Sequence, residues 1–244
     1  MKTRFTILEE TADLVVVDKP AHLLTVPDRY RAELPNLLSI LLRKYGEIYP
    51  VHRLDRETSG LLCFARNLRS FKHLSDAFEK RLVSKTYKAI VRGVPSQTSG
   101  TIDHPLFYDK ASRRSVVSAK GKPSVTRYEV IEAYKGFALL QLNILTGRTH
   151  QIRAHLQFIG YPLVVDPIYG GAEALFLSQV KVRYRKKDRP ENPLLSRVPL
   201  HASRLEVPTL EDAGTTWAWT SSLPKDMRAT TDQLRKLREA VKNR

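Results

Sequence analysis

A single cysteine in 244 residues excludes a disulfide framework within the chain. Cys63 lies inside the apolar run 61 to 65 and reads as a small core residue in a reducing compartment. No apolar run reaches the roughly 18 residues that a membrane-spanning helix needs. The opening stretch MKTRFTILEETAD lacks the apolar segment of a secretory signal, so the expected location is the cytoplasm. Zinc-type spacing is missing as well. His150 and His155 are five apart, not the four that would put two ligands on one helical face. No metal is expected.

Acidic residues are also scarce, 25 against 41 Lys and Arg, for a formal charge of +16. Solubility alone would need far less. A field of that size draws polyanions, and nucleic acid is the commonest polyanion in a cytoplasm. Charge leaves RNA and DNA equally open.

Hydrophobic periodicity switches along the chain between two and 3.6 residues. Ile7-Leu8 and Leu14 to Val17 predict two short strands, the second ending at Asp18-Lys19-Pro20 because Pro20 cannot donate to a ladder. Asn36 and Gly46 bracket a helix whose apolar positions are Leu37, Leu38, Leu41, Leu42 and Tyr45. The run 61 to 65 reads as a buried strand. A second helix follows, capped at Asn67 or Ser70, with Phe71, Leu74, Phe78 and Leu82 as its stripe. VSKTYKAIVR, 83 to 92, alternates as a strand with Tyr87 inside it. Strands are expected at about 124 to 132 and 137 to 145 around a Lys135-Gly136 turn, and a helix from about Thr149 to Gly160. Residues 162 to 166 read as another strand, 200 to 207 and 215 to 220 as closing strands, and 224 to 244 as a last, basic helix. The pattern predicts an α+β fold with a mixed, mainly antiparallel sheet and flanking helices.

Two stretches carry unusual charge. Residues 110 to 127 hold six Lys or Arg and no acid, including Arg113 and Arg114, and read as a mobile cationic loop or hairpin suited to phosphates. KVRYRKKDR, 181 to 189, reads as a basic insertion or surface hairpin.

The chemistry centres on VHRLDRETSG, 51 to 60. Asp55 sits just ahead of a buried strand, either as a turn aspartate closing on Thr58 or Ser59, or as a reactive group held by a rigid scaffold. A carboxylate at neutral pH is a weak base, and a guanidinium at ~4 Å would orient it with an attraction of about 4 kcal/mol at an effective dielectric of ~20. Arg148, at a strand-to-helix junction, is a candidate for that guanidinium. Tyr87 offers a flat ring on which an unstacked base can rest, worth ~1–3 kcal/mol.

HRLDRETSG (52 to 60) closely resembles the signature of the RluA-type pseudouridine synthases. SKTYKAIVRG (84 to 93) resembles that family's second motif, and LTGRTHQIRAHLQFIGYPLVVDPIYGG (145 to 171) its third. LVVVDKPAHLLTVP is similar to its first strand and loop, with Asp18 where Asn often stands, and LHASRL (200 to 205) to a later segment. The resemblance implies the pseudouridine synthase fold, with a catalytic cleft across the sheet, and isomerisation of uridine in structured RNA, transfer or ribosomal, without metal or cofactor. It implies that Asp55 initiates breaking of the N-glycosidic bond, that Tyr87 lies against the flipped uracil, and that Arg148 pairs with Asp55. Arg53 would sit beside the space the base vacates. Ile152 and Leu156 would wall the pocket or serve as plain core. A catalytic domain over 1–223 without an S4 RNA-binding domain is expected, with 224–244 packed on it, acting as a monomer. Two other classes are a non-catalytic RNA-binding protein on the same fold and a hydrolase pairing Asp55 with Glu57.

Overall fold

The computed structural model describes residues 5–181, 184, 190–210 and 214–242, the side chains of 238–242 excepted. Most of the basic stretch 181 to 189, and the side chain of Val241 in the last helix, fall outside those residues. Pairing is mainly antiparallel, with parallel contacts between some segments, and helices flank the strands, so the fold is α+β. The backbone forms two compact units, Met1–Thr86 with His201–Ser222, and Tyr87–Leu200 with Leu223–Arg244.

The first unit contains β1 (Thr6–Glu10), β2 (Leu14–Lys19), α1 (Leu37–Tyr45), β3 (Tyr49–Pro50), β4 (Ser59–Ala65) and α2 (Leu68–Glu79). Its strands run in the order β1-β2-β4, with β3 also on β4. The later strand Leu200–Pro208 returns to this unit at His201 and pairs parallel to β4, His201 opposite Ser59 and Ala202 opposite Gly60. Helix α1 starts where the Asn36 side chain accepts the Ser39 N–H at 2.8 Å and stops at Gly46, φ 74°. Asn67 caps α2 in the same way, on the N–H of Ser70. The α2 stripe is shorter than expected. The helix ends at Glu79, and Leu82, 60% exposed, lies past that end. Leu14, Val16, Leu61, Cys63, Leu74 and Leu205 share one core. Burial pushes the Cys63 thiol up to about 12, so it stays protonated.

The second unit takes most of β5 (Ser84–Arg92), then β6 (Ser99–Asp103), β7 (Leu106–Asp109), β8 (Arg114–Val117), β9 (Val125–Tyr134) and β10 (Phe137–Ile144). After these come α3 (Gln151–Phe158), α4 (Leu177–Val180) and α5 (Lys225–Lys242), while β11 (Leu200–Pro208) and β12 (Thr216–Thr220) belong almost wholly to the first unit. The order is β5-β10-β9-β6, and β7 and β8 form a separate two-stranded ribbon. The β9–β10 hairpin turns at Lys135-Gly136, with Phe137 opposite Tyr134. On α5, Met227 and Leu234 pack in a core with Tyr134, Leu139 and Val164. Ion pairs Arg197–Asp226 and Arg235–Glu132 fasten the same helix.

Residues 162 to 166 are not a regular strand. Val164 N–H donates to Ile90 O, whereas Asp166 N–H donates to Ala172 O. Successive donors thus serve two different neighbours and leave only isolated bridges at Leu163 and Val165. Pro162 has no N–H to begin a ladder.

Candidate active site

Asp55 is half-buried in a loop whose backbone is tied down on both sides of it. One residue before it, the Thr25 hydroxyl donates to Leu54 O (2.9 Å) and accepts the Leu54 N–H (3.2 Å). One residue after it, the ammonium of Lys19, with no exposed surface, donates to Arg56 O (3.2 Å) as well as to Pro20 O and Leu23 O. A buried ammonium is tolerated because these carbonyls replace water. Asp55 O itself accepts the Thr58 N–H at 3.1 Å, a turn made by backbone atoms.

Further out, His52 Nε2 accepts the Cys63 N–H at 3.0 Å, so that nitrogen carries no proton and the ring is neutral. The ring stacks on Phe78 with centroids 4.6 Å apart, and Lys85 lies over that same phenyl at 5.5 Å. Burial, with Lys85 nearby, lowers the His52 pKa to about 3. On the other flank, the Ser59 hydroxyl meets His201 Nδ1 at 3.0 Å. Gly60 has φ 114°, and a Cβ there would fall 2.3–2.8 Å from backbone atoms of Ala202. Only glycine permits the parallel approach of β4 and β11 at that point. Asp18, the departure from the family pattern, accepts the Ser221 hydroxyl at 2.6 Å. Lys19, Thr25, His52 and His201 were not singled out as site residues from sequence. All four lie inside the motifs quoted above, which was the available signal, and Lys19 is also a cation at the end of an apolar strand.

Arg53 is exposed beside Asp55 in the first unit, while Tyr87 and Arg148 belong to the second. Tyr87 is buried on β5, 7% exposed. Arg148 lies in the turn between β10 and α3, where Gln151 organises the backbone. The Gln151 side-chain oxygen accepts from the Thr146 hydroxyl (2.7 Å) and the Arg148 N–H (3.0 Å), and its amide donates to Val125 O and Thr126 Oγ1. The Arg148 guanidinium donates to Pro123 O at 3.4 Å. Ile152 and Leu156 are buried.

Arg153 and His155, one to two turns beyond Arg148, are structural. Helix α3 is buried all round from Gln151 to Leu156, so its polar side chains need internal partners. Arg153 makes a bidentate pair with Asp166, both contacts 2.7 Å, and Asp166 has no exposed surface. His155 meets Thr126 Oγ1 and His104 O, each at 2.9 Å, and burial lowers its pKa. Arg113 and Arg114 are exposed at the turn of the β7–β8 ribbon. That segment is a paired hairpin and not an irregular loop: Leu106 opposes Val117 and Asp109 opposes Arg114. Among the described residues no group of three or more His, Cys, Asp or Glu could hold a metal ion.

A family model described as RNA pseudouridylate synthase matches residues 13–158, and the chain belongs to that family. It is 38% identical over 207 residues to an uncharacterized RNA pseudouridine synthase of Chloroflexus aurantiacus, covering 81% of this chain and 60% of that protein. Ribosomal large subunit pseudouridine synthase D of Haemophilus ducreyi is 36% identical over 172 residues, covering 68% and 52%. The protein of the same name from Pseudomonas aeruginosa is 36% identical over 244 residues, covering 96% and 73%. The chain therefore spans about half to three-fifths of the first two relatives. Among solved structures, Human RNA Pseudouridylate Synthase Domain Containing 4 is similar with a TM-score of 0.70 at 25% identity, covering 94% of this chain and 92% of that one.

Proposed function

We propose that the protein isomerises uridine to pseudouridine in structured RNA, with Asp55 as the catalytic carboxylate. The observation that carries this reading is the loop around Asp55, tied at Leu54, Arg56 and Ser59 and through His52 to β4. A turn aspartate needs no such framing, whereas a reacting group must be held in place. In this reading Arg148 pairs with Asp55, Tyr87 lies against the extracted uracil, and Arg53 fills beside the vacated stack. Ile152 and Leu156 wall the pocket. Arg113 and Arg114 take phosphates of the RNA backbone, which the net charge of +16 favours. The isomerisation exchanges a C–N for a C–C glycosidic bond within one nucleotide and moves a proton from C5, a sequence acid–base side chains can serve without a resident cofactor. The protein acts as a monomer in the cytoplasm.

Ribosomal and transfer RNA both fit. Two similar proteins bear the name ribosomal large subunit pseudouridine synthase D, which puts large-subunit RNA first. The hydrolase reading is disfavoured because the family match accounts for Asp55 without a second acid. The test is to incubate the purified protein with large-subunit RNA transcripts and with total transfer RNA and map pseudouridine. Conversion at discrete uridines is expected. Tight binding with no conversion in either pool would favour a non-catalytic RNA-binding protein.

A further inference from the structure

We infer that the Tyr169 hydroxyl is a positioning group that locks the basic β7–β8 ribbon to the turn carrying Arg148. The inference rests on the reading of Arg148 as a residue of the reaction. Tyr169 has no exposed surface. Its hydroxyl accepts the Ser115 N–H from β8 at 2.7 Å and meets His150 Nδ1 at 3.0 Å. One oxygen thus touches the ribbon and the residue two places after Arg148. A second tie runs parallel to it, from the Ser115 hydroxyl to Thr149 O at 2.5 Å.

The backbone there is under constraint. His150 has φ 52°, the left-handed region that a side chain with a Cβ seldom occupies. Such a conformation persists where the surroundings enforce it, and it clusters at sites where geometry matters. The phenol is held in turn from its face. The Arg153 guanidinium lies 4.9 Å from its ring centroid while pairing with Asp166. The hub thus has three layers: a buried ion pair, a ring, and a hydroxyl that divides its contacts between two segments. A phenylalanine would preserve the first two layers and remove the third. RNA phosphates gripped by Arg113 and Arg114 would then be kept in register with Arg148 by the Ser115–Thr149 tie alone.

The experiment compares Tyr169→Phe, Ser115→Ala, Arg148→Ala and the Tyr169→Phe/Arg148→Ala double variant. Single-turnover rates at saturating RNA are measured with RNA dissociation constants, and backbone hydrogen exchange is followed at residues 114–117 and 149–151. Tyr169→Phe is expected to slow isomerisation about tenfold, with affinity changed less than about twofold. It should add nothing to Arg148→Ala, because it acts through that residue. Exchange should rise in both segments together. A full rate, a loss confined to affinity, or an equal further loss on the Arg148→Ala background would each overturn the inference. Should Tyr169→Phe fail to fold, His150→Asn, which suits the left-handed backbone but lacks the ring nitrogen that meets the hydroxyl, must show the same pattern, and a full rate there overturns it. The exchange arm does not depend on catalysis. An inactive wild-type protein whose two segments still loosen together would remove the proposed reaction and leave the coupling, whereas exchange confined to one segment would remove the coupling.

Discussion

The loop around Asp55 and the turn around Arg148 are held in opposite ways. At Asp55 the ties are dispersed: Thr25, Lys19 and His201 reach the loop or the start of β4 from other segments, and His52, within the loop, reaches Cys63 in β4. At the turn carrying Arg148 they converge on two side chains, Gln151 within it and Tyr169 against His150, with the Arg153–Asp166 pair behind the phenol. Dispersed ties should yield one at a time, each cut leaving the others in place. A convergent hub should fail as a unit, because its members satisfy one another.

The largest expected effect therefore lies in the second region. Arg153→Met leaves Asp166 as an uncompensated buried charge and should lower stability by about 3–5 kcal/mol in urea unfolding. A loss below about 1 kcal/mol would show that the hub is not a unit. Next comes a geometric point in the first region. Gly60→Ala meets both a positive φ and the Ala202 backbone and should lose about 2–4 kcal/mol. Gly46→Ala, with φ 74° but open space at its Cβ, is the control and should lose about 1 kcal/mol. Equal losses at the two glycines would mean that β11 does not press on Gly60.

A further effect, confined to acid pH, comes from protons. His52 is neutral in the fold with its pKa lowered to about 3, while an unfolded chain protonates near ~6.5. Below pH ~6.5 the unfolded state therefore binds the extra proton, so this contribution is complete above that pH and is lost as pH falls toward 3. His155 is shifted in the same direction. His52→Asn should flatten the acid limb of a stability–pH curve, by at most ~1.4 kcal/mol per pH unit for one proton. An unaltered limb would show that His52 is not held neutral.

What could be read from sequence follows from the range of each signal. Asn36, Gly46 and Asn67 mark helix ends through contacts a few residues away, and the Lys135-Gly136 turn marks a hairpin in the same way. The ties at the site are long in sequence: Lys19 reaches Arg56, and Ser59 reaches His201. No local pattern encodes them. Strands β3 and β6 escaped because one is two residues long and the other, SGTID, has no apolar alternation. Residues 162 to 166 misled because their composition suits a strand while their donors divide between Ile90 and Ala172. Helical spacing cannot reveal a helix buried on every side from Gln151 to Leu156, so the internal partners of Arg153 and His155 were not readable. Asp55 was singled out through motif resemblance, since a short loop keeps its residues together whatever the tertiary ties.

The most direct measurement is single-turnover pseudouridine formation by Asp55→Asn, with RNA affinity determined in parallel. The substitution preserves shape and removes the charge. The rate should fall about a thousandfold or more, in the range set by losing an essential acid–base or nucleophilic group, while the dissociation constant stays within a few-fold of the original. Isomerisation at the wild-type rate would contradict the assignment of Asp55 outright.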